Sequence, residues 1–165
     1  MIARYGLTAR AEVLGVGWTS DAYHFTSPNR DTIVRAIREA IADAGVAPAD
    51  LGYINTHGTS TKKGDQAEID CLRAVFGKGL SKIPLSSNKS QIGPTLGAAA
   101  AIEGALTIEG MQRGIILPTV NHRPDPHFDD IDCVPALARR LNHELALSNA
   151  FGFGGTNCCI IFRGC

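Results

Sequence analysis

The chain has 165 residues, 44% apolar and 19% charged, with sixteen basic residues balancing sixteen acidic ones. That suits one domain with a sizeable core. Zero net charge excludes a chain-wide basic footprint for nucleic acid and a polybasic membrane anchor, and 6% aromatics leave few platforms for stacking bases.

Residues 11–19 (AEVLGVGWT) are rich in β-formers and end at a polar turn, which predicts a first strand. Asp31 offers a helix N-cap. Ile33, Ile37 and Ile41 recur every fourth residue, and Gly45 stops the helix. Residues 51–55 read as a short buried strand. A second helix is expected over 65–76, with Ala67, Cys71 and Val75 on one face. Residues 83–87 form a third strand candidate, and an Ala-rich helix is expected over 95–113, closed by Gly114.

Residues 121–136 are a long Pro/Asp loop. Residues 144–150 and 158–162 then read as two strands around Gly152-Phe153-Gly154-Gly155. The order β-α-β-α-β-α-loop-β-β predicts an α/β fold: a mostly parallel sheet with packed helices and a C-terminal antiparallel pair. The longest weakly apolar run, 96–108, is broken by Glu103 and falls short of the roughly 20 residues a bilayer needs. The first residues lack the apolar centre of a secretory signal. Cys71, Cys133, Cys158, Cys159 and Cys165 are odd in number and contain no C-x-x-C pair, so free thiols in a reducing cytoplasm are expected.

Three segments place chemistry-bearing residues where strands end. In 54–65 (INTHGTSTKKGD), His57 follows a buried strand, Gly58 admits a ligand backbone, and three hydroxyls follow. A histidine there can be acid, base or hydrogen-bond donor, and the crevice outside strand ends is where α/β folds bind ligands. The same residues also suit a plain loop capping the next helix. In 86–104 (SSNKSQIGPTLGAAAAIEG), Glu103 stands inside an apolar helix and requires a partner if buried; Lys89 is the candidate, against a reading in which both are solvated. In 148–157 (SNAFGFGGTN), the glycines resemble a phosphate loop but lead into a strand rather than a helix, so a hairpin presenting backbone N–H groups and Phe153 fits better. His24, His122, His127 and His143 lack metal-ligand spacing.

These segments together resemble the β-ketoacyl-acyl carrier protein synthases of type II fatty acid synthesis. The shared patterns are N-x-H-G-T-S-T-x-x-G-D, K-S-x-x-G-x-x-L-G-A-A and S-N-x-F-G-F-G-G-T-N, and the opening VLGVGWTSDAYHFTSP matches as well. The resemblance runs from about residue 9 to 162 and corresponds to the C-terminal half of a complete synthase. It implies half of a thiolase-like fold as one domain over 1–165, with a dimeric habit and an N-terminal half or partner subunit to pair with.

The activity implied is decarboxylative condensation of an acyl thioester with malonyl-carrier protein. By motif position, His57 matches a histidine that donates to the malonyl thioester oxygen. Thr59 and Thr61 match hydroxyls that hold the phosphopantetheine arm, with Gly154 also in the substrate-binding set. Lys89 and Glu103 match a lysine and its acidic partner. Phe153 matches a gating phenylalanine whose N–H helps form an oxyanion hole. Asn55, Glu103, Ser148 and Asn149 match a K+ or Na+ site. No other cofactor is implied, since phosphopantetheine arrives on the acyl carrier protein.

Two departures stand out. The family's nucleophilic cysteine belongs to the N-terminal half, and none of the five cysteines here has a matching context. The second catalytic histidine is replaced by Pro94, which has no ring donor and no backbone N–H. The implied consequence is that this chain alone does not condense. The competing reading is a degenerate, non-catalytic ketosynthase-like subunit that associates with a partner through the Ala-rich helix face; a free nucleotide-binding module around residues 152–155 is the third.

Overall fold

A computed structural model describes residues 2–165. The elements are α1 (Ile2–Tyr5), β1 (Ala11–Ser20), α2 (Arg30–Ala44), β2 (Tyr53–Asn55), α3 (Lys62–Phe76), β3 (Leu85–Ser86), α4 (Lys89–Ile92), α5 (Ala99–Arg113), β4 (Ile115–Ile116), β5 (Arg139–Arg140), β6 (Leu145–Gly152) and β7 (Thr156–Gly164). The main sheet has the order β1-β7-β6-β2-β3. β2 runs parallel to β3 and to β6, whereas β7 is antiparallel to β6 and β1. Four of the five strands therefore point the same way, and the β6–β7 hairpin closes the fold as expected. The small β4–β5 antiparallel ribbon is an addition that two-residue strands do not announce in a sequence.

The period-two alternation of β6 and β7 sorts side chains to opposite faces. Leu147, Cys159 and Ile161 join Ile33, Ile37, Leu72 and Leu85 in one core, roofed by α2 and α3. Ala146 and Phe162 turn to the other face, where they meet Tyr53, Met111 and Ile116 beneath α5. The GVG of β1 has a physical reason: a Cβ on Gly17 would lie 1.8 Å from the Ala36 carbonyl oxygen, so α2 can seat on this strand only because Gly17 has none. On the other side of β1, Val13, Val16 and Trp18 stay exposed, because α5 packs on β6 and β7 and does not reach them.

Several expectations are corrected in detail. Asn29, not Asp31, caps α2, with its side chain accepting the Asp31 N–H. α3 starts three residues early, at Lys62, because the Thr61 carbonyl already accepts from Asp65 N–H. Its buried stripe is Glu68, Ile69, Cys71, Leu72 and Phe76, while Ala67 and Val75 are only half-buried. The Ala-rich helix proper starts at Ala99, after a 3-10 turn over Leu96–Ala98 in which Leu96 is left-handed at φ 49°. Pro94 therefore lies in the preceding loop rather than in the helix.

Candidate functional site

β2 ends at Asn55 and the chain enters the 56–61 loop, which is pinned from both sides. Thr56 N–H donates to the Ser86 carbonyl at 2.9 Å. The next two N–H groups, of His57 and Gly58, each donate at 2.9 Å to the two carboxylate oxygens of Glu68 on α3. Ser87 Oγ donates to the Gly58 carbonyl at 2.7 Å. A Cβ at Gly58, whose φ is 30°, would lie 2.7 Å from Ser87 Cβ, so only glycine passes here.

The His57 ring is fixed by the strand beside it. Phe151 N–H, on β6, donates to His57 Nδ1 at 3.2 Å, and the Phe151 ring lies 5.3 Å from the imidazole centroid. Nδ1 is thereby the acceptor nitrogen, and the proton of the neutral ring sits on Nε2. Burial, helped by the positive Lys89, lowers the His57 pKa to about 4. His57 is thus a neutral donor at physiological pH.

Lys89 and Glu103 meet inside the protein. The ammonium and carboxylate lie 2.6 Å apart, with side chains 6% and 0% exposed. A buried pair of this kind requires close geometry and further hydrogen bonds to offset desolvation. Glu103 Oε2 receives one from Asn55 Nδ2 at 3.2 Å, and the same amide reaches Ser148 Oγ at 3.0 Å. Beside them, Tyr53 hydroxyl and Ser86 Oγ are 2.8 Å apart.

Of the four residues implied for a monovalent cation, the structure brings together the side chains of Asn55, Glu103 and Ser148. Asn149 belongs to the opposite face of β6, where its Nδ2 donates to Glu68 Oε1 at 3.0 Å. Asn55 Oδ1 is buried with no hydrogen-bond partner among the described residues, and a neutral oxygen in that state fits a hard cation. The side-chain set fits at three positions and departs at Asn149.

Phe153 sits at the tip of the β6–β7 hairpin and is 66% exposed. Its turn is stapled to the 21–29 loop: Gly154 N–H donates to the Phe25 carbonyl at 2.9 Å, and Asp21 N–H donates to the Gly155 carbonyl at 2.7 Å. Thr59 and Thr61 are exposed and their hydroxyls lie 3.2 Å apart. Thr59, Lys89 and Pro94 line one groove of about 920 Å3, together with Thr119, His122 and Arg123. Phe153, Gly154 and His57 are not among the residues lining it.

Four of the five cysteines are held as thiols by burial. Burial pushes the Cys71 thiol up to about 12 and Cys133 up to about 11, and holds Cys158 and Cys159 above the ordinary thiol range. Among the described residues, no group of three or more His, Cys, Asp or Glu is arranged to hold a metal ion, and no helix is long and apolar enough to cross a membrane.

The sequence reading missed Glu68, Ser87, Phe151 and Phe25. A carboxylate inside the buried stripe of α3 is the signal for Glu68, the same signal that pointed to Glu103. Phe151 is a fixed residue of the pattern over 148–157, though with no role attached to it there, and nothing in the local pattern distinguishes Ser87 or Phe25.

The family model for the β-ketoacyl synthase C-terminal domain matches residues 10–123. Nodulation protein E of Rhizobium meliloti is 41% identical over 159 residues, covering 96% of this chain and 39% of the relative. The 3-oxoacyl-[acyl-carrier-protein] synthase 2 of Vibrio harveyi is 40% identical over 161 residues, with 96% and 39% covered. A β-ketoacyl synthase from Burkholderia phymatum STM815 superposes with a TM-score of 0.92 at 40% identity, over 99% of this chain and 40% of that one. The ketosynthase of the AntDE:AntF complex, a type II polyketide synthase acyl-carrier protein with its ketosynthase, gives 0.93 at 31% identity, over 99% and 41%. The chain spans about two fifths of the length of these relatives. On the match to that family model, the chain belongs to the β-ketoacyl synthase C-terminal domain family.

Proposed function

We propose that this chain supplies the C-terminal half of a 3-oxoacyl-acyl carrier protein synthase, acting in fatty acid or polyketide-like synthesis. The observation that carries the reading is the tautomer of His57, fixed by Phe151 as a neutral Nε2–H donor.

In the reaction, the bond between the malonyl carboxylate and Cα breaks, carbon dioxide leaves, and the electron pair passes to the thioester enolate. His57 Nε2–H donates to the enolate oxygen, where negative charge develops. The enolate carbon then attacks the acyl thioester carbonyl, and a cysteine thiolate on the other half of the enzyme departs. Phe153 N–H donates to the oxygen of that acyl thioester. Thr59 and Thr61 hold the phosphopantetheine arm, with Gly154 giving it room. Lys89 holds Glu103 in place behind the site through their 2.6 Å contact. Asn55, Ser148 and Glu103 would hold a K+ or Na+, which would supply charge balance to the buried carboxylate.

The partners on this reading are an acyl carrier protein and a cysteine-bearing ketosynthase half, in an oligomer of the cytoplasm. The exposed Val13, Val16 and Trp18 of β1, together with Ala100, Ala101 and Ile102 of α5, support a covering half, since an apolar surface of this kind favours association. The AntDE:AntF complex, in which an acyl-carrier protein is bound to its ketosynthase, supports the carrier protein. Five free cysteines fit a reducing compartment.

Pro94 favours a second reading, a non-catalytic subunit that associates with a partner chain. Malonyl-carrier protein and a cysteine-bearing half, added to the chain separately and together, distinguish the two. The chain alone is expected to give no 3-oxoacyl product, and the reconstituted pair a measurable rate. Turnover by the chain alone overturns the missing-nucleophile argument, and a silent but stable pair favours the non-catalytic subunit.

A further inference from the structure

We propose that Arg73 is a positioning residue that holds residues 121–131 against α3 and so fixes the shape of the groove that takes the carrier protein's phosphopantetheine arm. The proposal rests on the reading of Thr59 given above, since Thr59 and this segment line the same groove. α3 contributes Lys62, Asp65 and Ile69 to it, and the segment contributes His122, Arg123 and Phe128. The hold between the two elements therefore sets the groove, and a groove fixed in advance costs less to fill than one that must be ordered by its ligand.

The segment has few other holds. Val120 N–H donates to Ser90 Oγ at 2.9 Å, and the Asp132 carbonyl accepts from Leu85 N–H at 2.9 Å. Between these points, among the described residues, the backbone of 121–131 forms hydrogen bonds only within itself and with Arg73. Phe128 and Ile131 pack on the core under α2 and α3, which seats the apolar side of the segment. Its polar side hangs from one guanidinium. Arg73 Nε and Nη2 donate to the two oxygens of Asp130 at 3.2 and 2.5 Å, and Nη2 also donates to the His127 carbonyl. Nη1 donates to His127 Nε2 at 3.2 Å and to Asp70 Oδ1, earlier on α3, at 2.9 Å. A planar fork serves carboxylate, carbonyl and ring together, whereas a lysine ammonium is a point charge without that geometry.

The test compares wild type, Arg73→Met and Arg73→Lys by amide exchange on the chain and by kinetics in the enzyme reconstituted with its cysteine-bearing half. Phe128 N–H and Ile131 N–H, which bond within the segment, are expected to exchange about five- to tenfold faster in Arg73→Met, while Leu147 is unchanged. KM for malonyl-carrier protein is expected to rise roughly threefold to tenfold with kcat little changed, as loss of binding shared by ground state and transition state predicts. Arg73→Lys is expected to fall between the two. Unchanged exchange at Phe128 and Ile131 in a folded Arg73→Met variant overturns the proposal, and so does faster exchange with an unchanged KM. If Arg73→Met does not fold, Asp130→Asn, at an exposed position, is read in the same way. A wild-type pair that makes no product counts against the proposed reaction, and the hold of Arg73 on the segment is then decided by the exchange rates.

Discussion

The rings of Phe25 and Phe153 stack with centroids 5.2 Å apart and planes 10° from parallel, although both are about two-thirds exposed. The contact joins the tip of the β6–β7 hairpin to a loop 128 positions earlier in the chain. The same two segments share the Gly154 N–H to Phe25 carbonyl bond and the Asp21 N–H to Gly155 carbonyl bond. A turn with two left-handed glycines, Gly154 at φ 78° and Gly155 at φ 81°, is closed by its own Gly155 N–H to Gly152 carbonyl bond at 3.2 Å and held in one position by a neighbouring loop.

Removing the Phe25 ring is therefore expected to loosen the Phe153 turn while leaving the sheet intact. Aromatic stacking contributes about 0.5–1.5 kcal/mol beyond area, so Phe25→Ala is expected to speed amide exchange at Gly154 by up to roughly tenfold. Exchange at Leu147 and Ile161, in the centre of the sheet, is expected to stay at the wild-type rate. Equal acceleration at all three amides would show global destabilisation and refute the local staple.

The imidazole of His57 makes a pH prediction with a definite sign. Its folded pKa, about 4, lies below the ordinary histidine value because burial, and then Lys89, disfavour the charged ring. Between pH 6.5 and 4 the unfolded chain binds a proton that the folded chain refuses, so stability falls as pH falls through that window. The loss is on the order of 3 kcal/mol when complete. Above pH 7 this group contributes no pH dependence. Urea unfolding of wild type and His57→Gln from pH 7.5 to 4 measures it: the wild-type curve is expected to drop more steeply, and parallel curves would contradict the burial of a neutral ring.

The sheet and the three main helices were legible because their signals are local and repetitive: the Ile33-Ile37-Ile41 spacing, glycine stops at Gly45 and Gly114, and β-rich runs flanking Gly152–Gly155. Helix starts were less so. The α5 start depends on Leu96 entering the left-handed region, which no neighbouring residue predicts. At the site, motif residues were visible as residues, and so was the Lys89–Glu103 pairing, because an acid inside an apolar helix demands a partner. Two of the partners of Glu68 are backbone N–H groups eleven and ten positions earlier, which carry no sequence identity, and the third, Asn149, is 81 positions later. Phe25 escaped because stacking across 128 positions is fixed only by the folded β6–β7 turn.

The Lys89–Glu103 pair predicts a strongly non-additive mutational cycle. Lys89→Met leaves Glu103 buried and without its cation, which costs about 3–5 kcal/mol, and Glu103→Gln leaves the ammonium similarly stranded. The double variant removes both charges and is expected to lie well above the sum of the singles, close to wild type. Thermal or urea unfolding of the four proteins gives the coupling. Additive losses would mean that water screens the pair, in conflict with its burial.

Gly17 predicts a steep cost for one methyl group. A Cβ there meets the Ala36 carbonyl oxygen at 1.8 Å and the Ala40 nitrogen at 2.7 Å, both backbone atoms of α2 that cannot rotate away. Gly17→Ala must push α2 off β1 and is expected to cost at least about 1–3 kcal/mol, the usual range for overpacking. Gly79→Ala serves as the control, because a Cβ at that position meets nothing within 4 Å. Comparable unfolding midpoints for the two variants would mean that α2 does not seat on β1 as closely as described.

Pro94 offers a gain-of-function test of the proposed reaction. The residue is exposed and lines the same groove as Thr59 and Lys89, in the loop between α4 and α5. Its backbone nitrogen carries no proton and its ring no donor, so this position offers no hydrogen bond to the enolate oxygen. Removing a single oxyanion donor costs about 100- to 1000-fold in rate, so Pro94→His is expected to return a substantial part of that factor to a reconstituted enzyme. Gly93 at φ 74° and the 3-10 turn over Leu96–Ala98 bracket the position, so the backbone there does not depend on a proline ring. The measurement is the rate of carbon dioxide release from malonyl-carrier protein, for wild type, Pro94→His and Pro94→Ala, each paired with the same cysteine-bearing half. A rise in the histidine variant alone supports a condensing site that lacks one donor. Equal rates in all three, with His57 still required, would show that this site decarboxylates with one imidazole and that Pro94 is not a lost catalytic position.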